Sequence, residues 1–423
     1  MTCEISIMNR QAIALAADSA STVTEWVDGN EQVRFFKGTN KIFELSNHQP
    51  VGIMIFGSAT LQEVPWEIFV KDFRKHLGDK SFNDLSGYAN GLFDFIKEHH
   101  LFPDDYQAKV FKDEVRKVVF LHLFLAQNDD TVKQVSTKEG KQSAVQALLD
   151  KYYHHLKNEP LPPHFEQADV DKAIALHKPE IEDELRSMPA QLRLDLEIDL
   201  GKLAELAILG LFKSYDRYMN STGVVFAGFG DNDYFPGYEE YACYGLLMGR
   251  FLFDKKSSQK IDIDTPSHIK PFATTAMINT FLTGFSPDIF SQVRQQFEAA
   301  LQSLADKIRS ELKVDEIQNL GEHIRSVLKE HTDRWVNAAM AAHAWPLRRV
   351  VGSLPLDEMA ELAETLIMLQ SLKEKVTQPT ESVGGPIDVA IITKGDGFIW
   401  IKRKHYFDPK FNPRFLVRQS KSL

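Results

Sequence analysis

The chain has little cysteine: Cys3 and Cys243 are the only two in 423 residues. Two cysteines cannot build a disulfide framework, nor a structural zinc site alone, so a reducing cytoplasm is the expected compartment. Long apolar runs are also missing. The densest, residues 118–126, contains His122 and falls short of the ~20 residues of a membrane span, so no membrane partner is expected. The start of the chain lacks the basic and apolar regions of a signal peptide. Positive charge is in deficit: 49 Lys and Arg against 59 Asp and Glu leave a formal −10, which argues against general nucleic-acid binding. No phosphate-loop pattern occurs, and Gly228-Phe229-Gly230 lacks the third glycine of a dinucleotide loop, so no cofactor is expected. The histidines gather between His99 and His177. Adjacent histidines point different ways on a helix, and no His-Glu-x-x-His spacing occurs, so no metal is expected.

What is present begins at the first residues. A small residue follows Met1, so methionine removal is expected to expose Thr2 as a new N-terminus. Such a threonine carries its own base, because an α-amine titrates near 7.7–8.0 and reaches the residue's own hydroxyl. Thr2 opens a strand-like run in which Thr2, Glu4 and Ser6 face one way and Cys3 and Ile5 the other. That alternation favours Thr2 over Cys3 as nucleophile.

Asp18 follows Thr2 by sixteen positions, the separation found in proteasome β subunits. Asn40-Lys41-Ile42-Phe43-Glu44-Leu45 resembles that family's lysine-bearing strand. Gly52-Ile53-Met54-Ile55-Phe56-Gly57-Ser58-Ala59 resembles its oxyanion strand, and the stretch from Ser382 to Lys394 resembles its closing strand. In order, these pieces resemble a divergent bacterial-type member of the proteasome β-subunit-like N-terminal-nucleophile hydrolases, enlarged by helical insertions.

The resemblance implies a four-layer αββα sandwich and a threonine-type hydrolase that cleaves a peptide or protein amide bond. It implies Lys41 as the cation beside the nucleophile, Asp18 as its anchor, and the Gly57 N–H as oxyanion donor. A lone Lys or Asp at a strand end is ordinarily just solvated, and Gly57 is equally readable as a strand-to-helix turn. The family's distal support matches poorly. One spacing gives Thr380 where an acid is needed, and a shorter spacing gives Glu381. Thr274, or alternatively Thr275, stands where the family has a Gly-Ser-Gly turn. Ser21, Phe43 and Ile55 are implied to receive the residue before the cleaved bond. Two rival readings are a catalytically silent proteasome-like scaffold or regulator and a non-peptide amidase.

The chain reads as one domain, with a core of residues 1–77, 195–285 and 351–405. Helical insertions are expected at 78–194 and 286–350, and a basic tail at 406–423. Trp66, Phe69, Val70 and Phe73 recur at helical spacing. A helix is expected to start near Pro271, and Asp388–Lys404 reads as a hairpin turning at Gly395-Asp396-Gly397. A homo-oligomer is expected, with the insertions or the tail available to dock a partner.

Overall fold

A computed structural model describes residues 2–27, 30–187, 197–312, 319–377, 383–414 and 417. In chain order the first strands are β1 (Cys3–Asn9), β2 (Ala12–Ala17), β3 (Ala20–Val27), β4 (Asn30–Lys37), β5 (Ile42–Glu44), β6 (Val51–Gly57), β7 (Thr60–Leu61) and β8 (Val64–Pro65). Helices α1 (Trp66–Leu77), α2 (Leu85–Lys97), α3 (Asp104–Asn128), α4 (Asp130–Lys133), α5 (Lys138–Asn158), α6 (Gln167–Ser187), α7 (Leu200–Lys213) and α8 (Tyr215–Tyr218) follow. Then come β9 (Thr222–Gly228), β10 (Gly237–Leu247), β11 (Arg250–Lys260) and β12 (Ser267–Ala273). The last stretch holds α9 (Ala276–Thr283), α10 (Pro287–Leu312), α11 (Leu320–Ala339), α12 (Trp345–Val351), α13 (Leu356–Thr377), β13 (Asp388–Thr393) and β14 (Gly397–Lys402).

The fold is mixed α and β with antiparallel sheets. One five-stranded sheet runs β12-β1-β2-β13-β14 and the other β11-β10-β9-β6-β5. The strand Ala12-Ile13-Ala14-Leu15-Ala16 is buried throughout, and its two residue sizes serve two faces. Ile13 and Leu15 join Met8, Met54, Val225 and Ala227 in a cluster shared by both sheets. Ala12, Ala14 and Ala16 join Met359, Ala363 and Leu366 of α13, and their short side chains let that helix come close. The other sheet is covered by α1 and α2: Ile53 and Phe226 pack with Phe69, Phe73, Leu92 and Phe93. Each such side chain contributes roughly 1.5–3 kcal/mol when fully buried.

The helix expected near Pro271 begins later. Residues Ser267–Ala273 form an edge strand, with Pro271 opposite Ile5 of β1, and α9 starts at Ala276. An edge strand tolerates a residue with no N–H, because one side of it has no ladder to complete.

Two helical regions flank this framework. Helices α3, α5, α6 and α7 close a core of their own around Phe111, Val119, Leu149, Ile181, Leu206 and Phe212, seated on Ala242 and Leu247 of β10. Helices α10 to α12 bury far less, and Ile289, Leu304, Trp345 and Val350 are each at least half exposed.

Candidate active site

Thr2 sits just before β1 and is 7% exposed. Its carbonyl accepts the Thr274 N–H at 2.9 Å, so the turn after β12 holds the residue in place. Asp18, at the end of β2, is fixed from three sides. Its Oδ1 accepts the Cys3 N–H at 3.0 Å, and its Oδ2 accepts those of Ala20 at 3.2 Å and Gly384 at 2.8 Å. Lys41, the residue just before β5, donates to Asp18 Oδ1. The Lys41 carbonyl accepts the Ile55 N–H at 2.8 Å, which ties the lysine to β6. Both charged side chains are almost fully buried, so their attraction is little screened by water.

Glu4 adds a second carboxyl. It lies on the Thr2 face of β1, has no exposed surface, and stands 3.5 Å from Lys41 Nζ. Neither of its oxygens makes a well-formed hydrogen bond, though the Lys41 ammonium and the Thr2 hydroxyl stand near enough to favour its charged form. Burial pushes its pKa up to about 8, against the pull of Lys41 and with the Asp18 charge adding to the rise. At neutral pH Glu4 is therefore mainly an uncharged acid, and Lys41 and Asp18 balance each other. Cys3 points to the opposite face, into the α13 cluster. Burial raises its thiol well above the ordinary range, which leaves it a poor nucleophile.

Thr2 and Lys41 open on a cavity of about 820 Å³, which Gly57, Ser21, Phe43 and Ile55 also line. That volume suits a ligand of several residues' bulk or a small molecule. Gly57 ends β6 with φ +80, a conformation glycine adopts without penalty, beside Ser58 and Ser221 on the cavity wall. Ser21 accepts a hydrogen bond from the Thr39 hydroxyl at 2.8 Å.

The structure thus brings Thr2, Asp18, Lys41, Gly57, Ser21, Phe43, Ile55 and Thr274 to one region. Thr275 turns away, its hydroxyl accepting from Asn279 Nδ2 at 2.9 Å. Glu381 and Thr380 lie outside the described residues. Sequence reasoning did not assign a role to Glu4, although alternation had put it on the Thr2 face. It missed Trp66, Glu67, Asn220 and Ser221, which line the same cavity and carry no local signal of doing so. Among the described residues no group of three or more His, Cys, Asp or Glu could hold a metal ion. Also among them, no helix is long and apolar enough to cross a membrane.

No family model matches the chain, and no curated protein does. Among solved structures, the chain is similar to an Anbu (Gly-1) mutant from Hyphomicrobium sp. strain MC1, at 10% identity and TM-score 0.29 over 100% of this chain and 97% of that one. It is similar to a helical assembly of the Anbu complex from Pseudomonas aeruginosa, at 10% identity and TM-score 0.28 over 99% and 92%. It is also similar to Anbu (ancestral beta-subunit) from Yersinia bercovieri, at 10% identity and TM-score 0.26 over 100% and 97%. These findings correct the family assignment suggested by the sequence. The neighbours are Anbu proteins, and neither a family model nor a curated protein places the chain among the proteasome β-subunit-like N-terminal-nucleophile hydrolases. The physical reason is that the matching pieces are short strand-and-turn segments. Their apolar runs and terminal glycines are what any buried antiparallel sheet demands.

Proposed function

We propose that this chain is a threonine-type hydrolase that cleaves an amide bond in a peptide once Met1 is removed. The observation that carries the reading is the Thr2–Lys41–Asp18 grouping at the mouth of a cavity bounded by Gly57. The freed α-amine of Thr2 takes the proton of its hydroxyl as Oγ attacks the substrate carbonyl carbon. Lys41 stabilises the developing negative charge, Asp18 holds Lys41, and the Gly57 N–H receives the oxyanion. Collapse breaks the C–N bond, and the leaving amine takes the proton from the α-ammonium. Water then releases the acyl group from Thr2. Thr274 supports the Thr2 backbone, and Glu381 is assigned to orient the amine. Phe43 and Ile55, with Ser21, give an apolar site for the residue before the cleaved bond.

The same reading takes the two sheets and their helical covers as a four-layer αββα sandwich and places the protein in the cytoplasm. It also takes the chain as a homo-oligomer, supported by the exposed apolar residues of α10 to α12. Light scattering at micromolar concentration tests that last point, and a strict monomer contradicts it. Intact mass is the test of the function. Loss of one methionine together with covalent capture of Thr2 by a boronate or epoxyketone supports hydrolysis. Retention of Met1 and no capture overturn it in favour of a silent scaffold.

A further inference from the structure

Past Gly57 another cavity lies beside the Thr2 cavity. This second cavity, of about 510 Å³, shares Ser58, Thr60 and Asn220 with it as a common wall. The far side of this second cavity is made by α3, through Tyr106, Lys109, Asp113 and Lys117. Helix α3 also packs its opposite face into the core it shares with α5, α6 and α7. One rigid, independently buried element therefore walls the extension.

One wall of the second cavity, beyond the shared residues, is a strained turn. Gln62 and Glu63 join β7 to β8 with φ of +47 and +69. A two-residue hairpin turn of that hand is ordinarily Asn-Gly or Asp-Gly, because side chains resist positive φ at both positions. Here two long polar side chains occupy it, and the surroundings hold Gln62 there. The Gln62 amide donates to the Leu246 carbonyl at 2.7 Å and accepts the Leu246 N–H at 3.1 Å. The Tyr106 hydroxyl donates to the Gln62 carbonyl at 2.7 Å. Backbone strain kept by three such bonds marks a position where side-chain placement outweighs turn comfort. Glu63 and Lys109 both line the cavity and take part in no ion pair among the described residues. Both are placed to meet a ligand that enters it.

We propose that the second cavity is an extended binding groove for one flank of a peptide substrate, continuous with the Thr2 cavity over the Ser58–Thr60 wall. The ligand class is an extended polypeptide with polar or charged side chains, rather than a small amide. A chain advancing about 3.3 Å per residue and carrying donors and acceptors at each step can follow a polar wall of this kind. This inference rests on the hydrolase reading, and its test separates the two.

Peptides of about two to about eight residues, extended at each end in separate series, are bound to the Thr2→Ala protein and followed by fluorescence anisotropy. The same series is hydrolysed by the wild type. One series is expected to tighten by at least about tenfold, or about 1.4 kcal/mol, once the peptide passes the first cavity. The double change Gln62→Asn with Glu63→Gly is expected to lose that gain; it relieves the turn but gives up the two amide bonds to Leu246, so its melting temperature should stay near that of the wild type. Lys109→Glu, on an exposed helix position, tests the same wall without touching the turn. Turnover of the shortest peptide should stay within about twofold in both variants. Affinity independent of length in both series, or a length gain untouched by either variant, overturns the groove. Length-dependent binding without any hydrolysis keeps the groove and removes the hydrolase reading. Absence of both binding and hydrolysis removes the two together.

Discussion

Two buried lysine–aspartate pairs sit close together where β2 ends and β13 begins, and they are built differently. Asp388, at the start of β13, lies opposite Ala17 and takes both the Lys404 backbone N–H at 2.8 Å and the Lys404 ammonium. One residue satisfies both carboxylate oxygens, and the pair fastens the chain leaving β14 to the beginning of β13. Burial lowers the Lys404 pKa, with Asp388 holding it up. The second pair, Lys41 and Asp18, is buried somewhat more deeply. Its aspartate is satisfied by three backbone N–H groups drawn from separate parts of the chain. Its lysine faces a third, surplus carboxyl and lines a cavity. Burial and short contact therefore do not by themselves distinguish a fastening from a reactive site. What sets the Lys41 pair apart is an additional buried carboxyl beside it and access to a cavity.

The sharpest way to break this comparison is at Thr2. Thr2→Ala should reduce turnover by roughly 10⁴–10⁶-fold with the fold unchanged, as removal of a nucleophile does elsewhere. Turnover of a responsive peptide at the wild-type rate would refute the proposed mechanism. Lys41→Ala comes next. Loss of one charge-stabilising group raises the barrier by about 2.7–4 kcal/mol, a hundredfold to a thousandfold in kcat. Kinetics within twofold of wild type would return Lys41 to the status of a structural cation.

Lys404→Ala should act oppositely. Removing one partner of a buried pair strands the other charge and costs about 3–5 kcal/mol of stability. Turnover per folded molecule should hold, so denaturant titration and active-site labelling together separate the two pairs. A Lys404 variant that loses labelling while remaining folded would merge them.

The smallest effect is expected at Glu4, and it depends on pH. The carboxyl is uncharged below about 8 and ionises above it. Its negative charge then draws on Lys41 and opposes the oxyanion forming at Thr2. Wild-type kcat/KM should fall as pH rises through about 8, and Glu4→Gln, which fixes the uncharged form, should lose that alkaline fall while matching wild type near pH 7. An unchanged alkaline limb would show that Glu4 does not govern it.

Much of this was legible in the sequence because it is local. Alternation along β1 put Thr2 and Glu4 on one face and Cys3 and Ile5 on the other. The spacing of Trp66, Phe69, Val70 and Phe73 marked α1, whose buried residues they are. Gly395-Asp396-Gly397 marked the turn between β13 and β14. The start of α9 was misread because Pro271 resembles a helix beginning, and only pairing with β1 makes it an edge-strand residue. Glu4 was visible as an acid on the correct face, but not as a surplus one. That depends on Lys41 already being committed to Asp18.

What the sequence by itself determined is therefore the set of short-range choices: which residues alternate, which recur every third or fourth position, and which can end a strand or a turn. These follow from backbone geometry within a few residues. Only the tertiary structure decided which strand ends meet. Asp18 receives an N–H from Gly384, 366 positions away, and α3 comes to wall a cavity beside Ser58 and Asn220. Contacts of that range are set by the joint burial of two sheets and their helices, a condition no local pattern encodes.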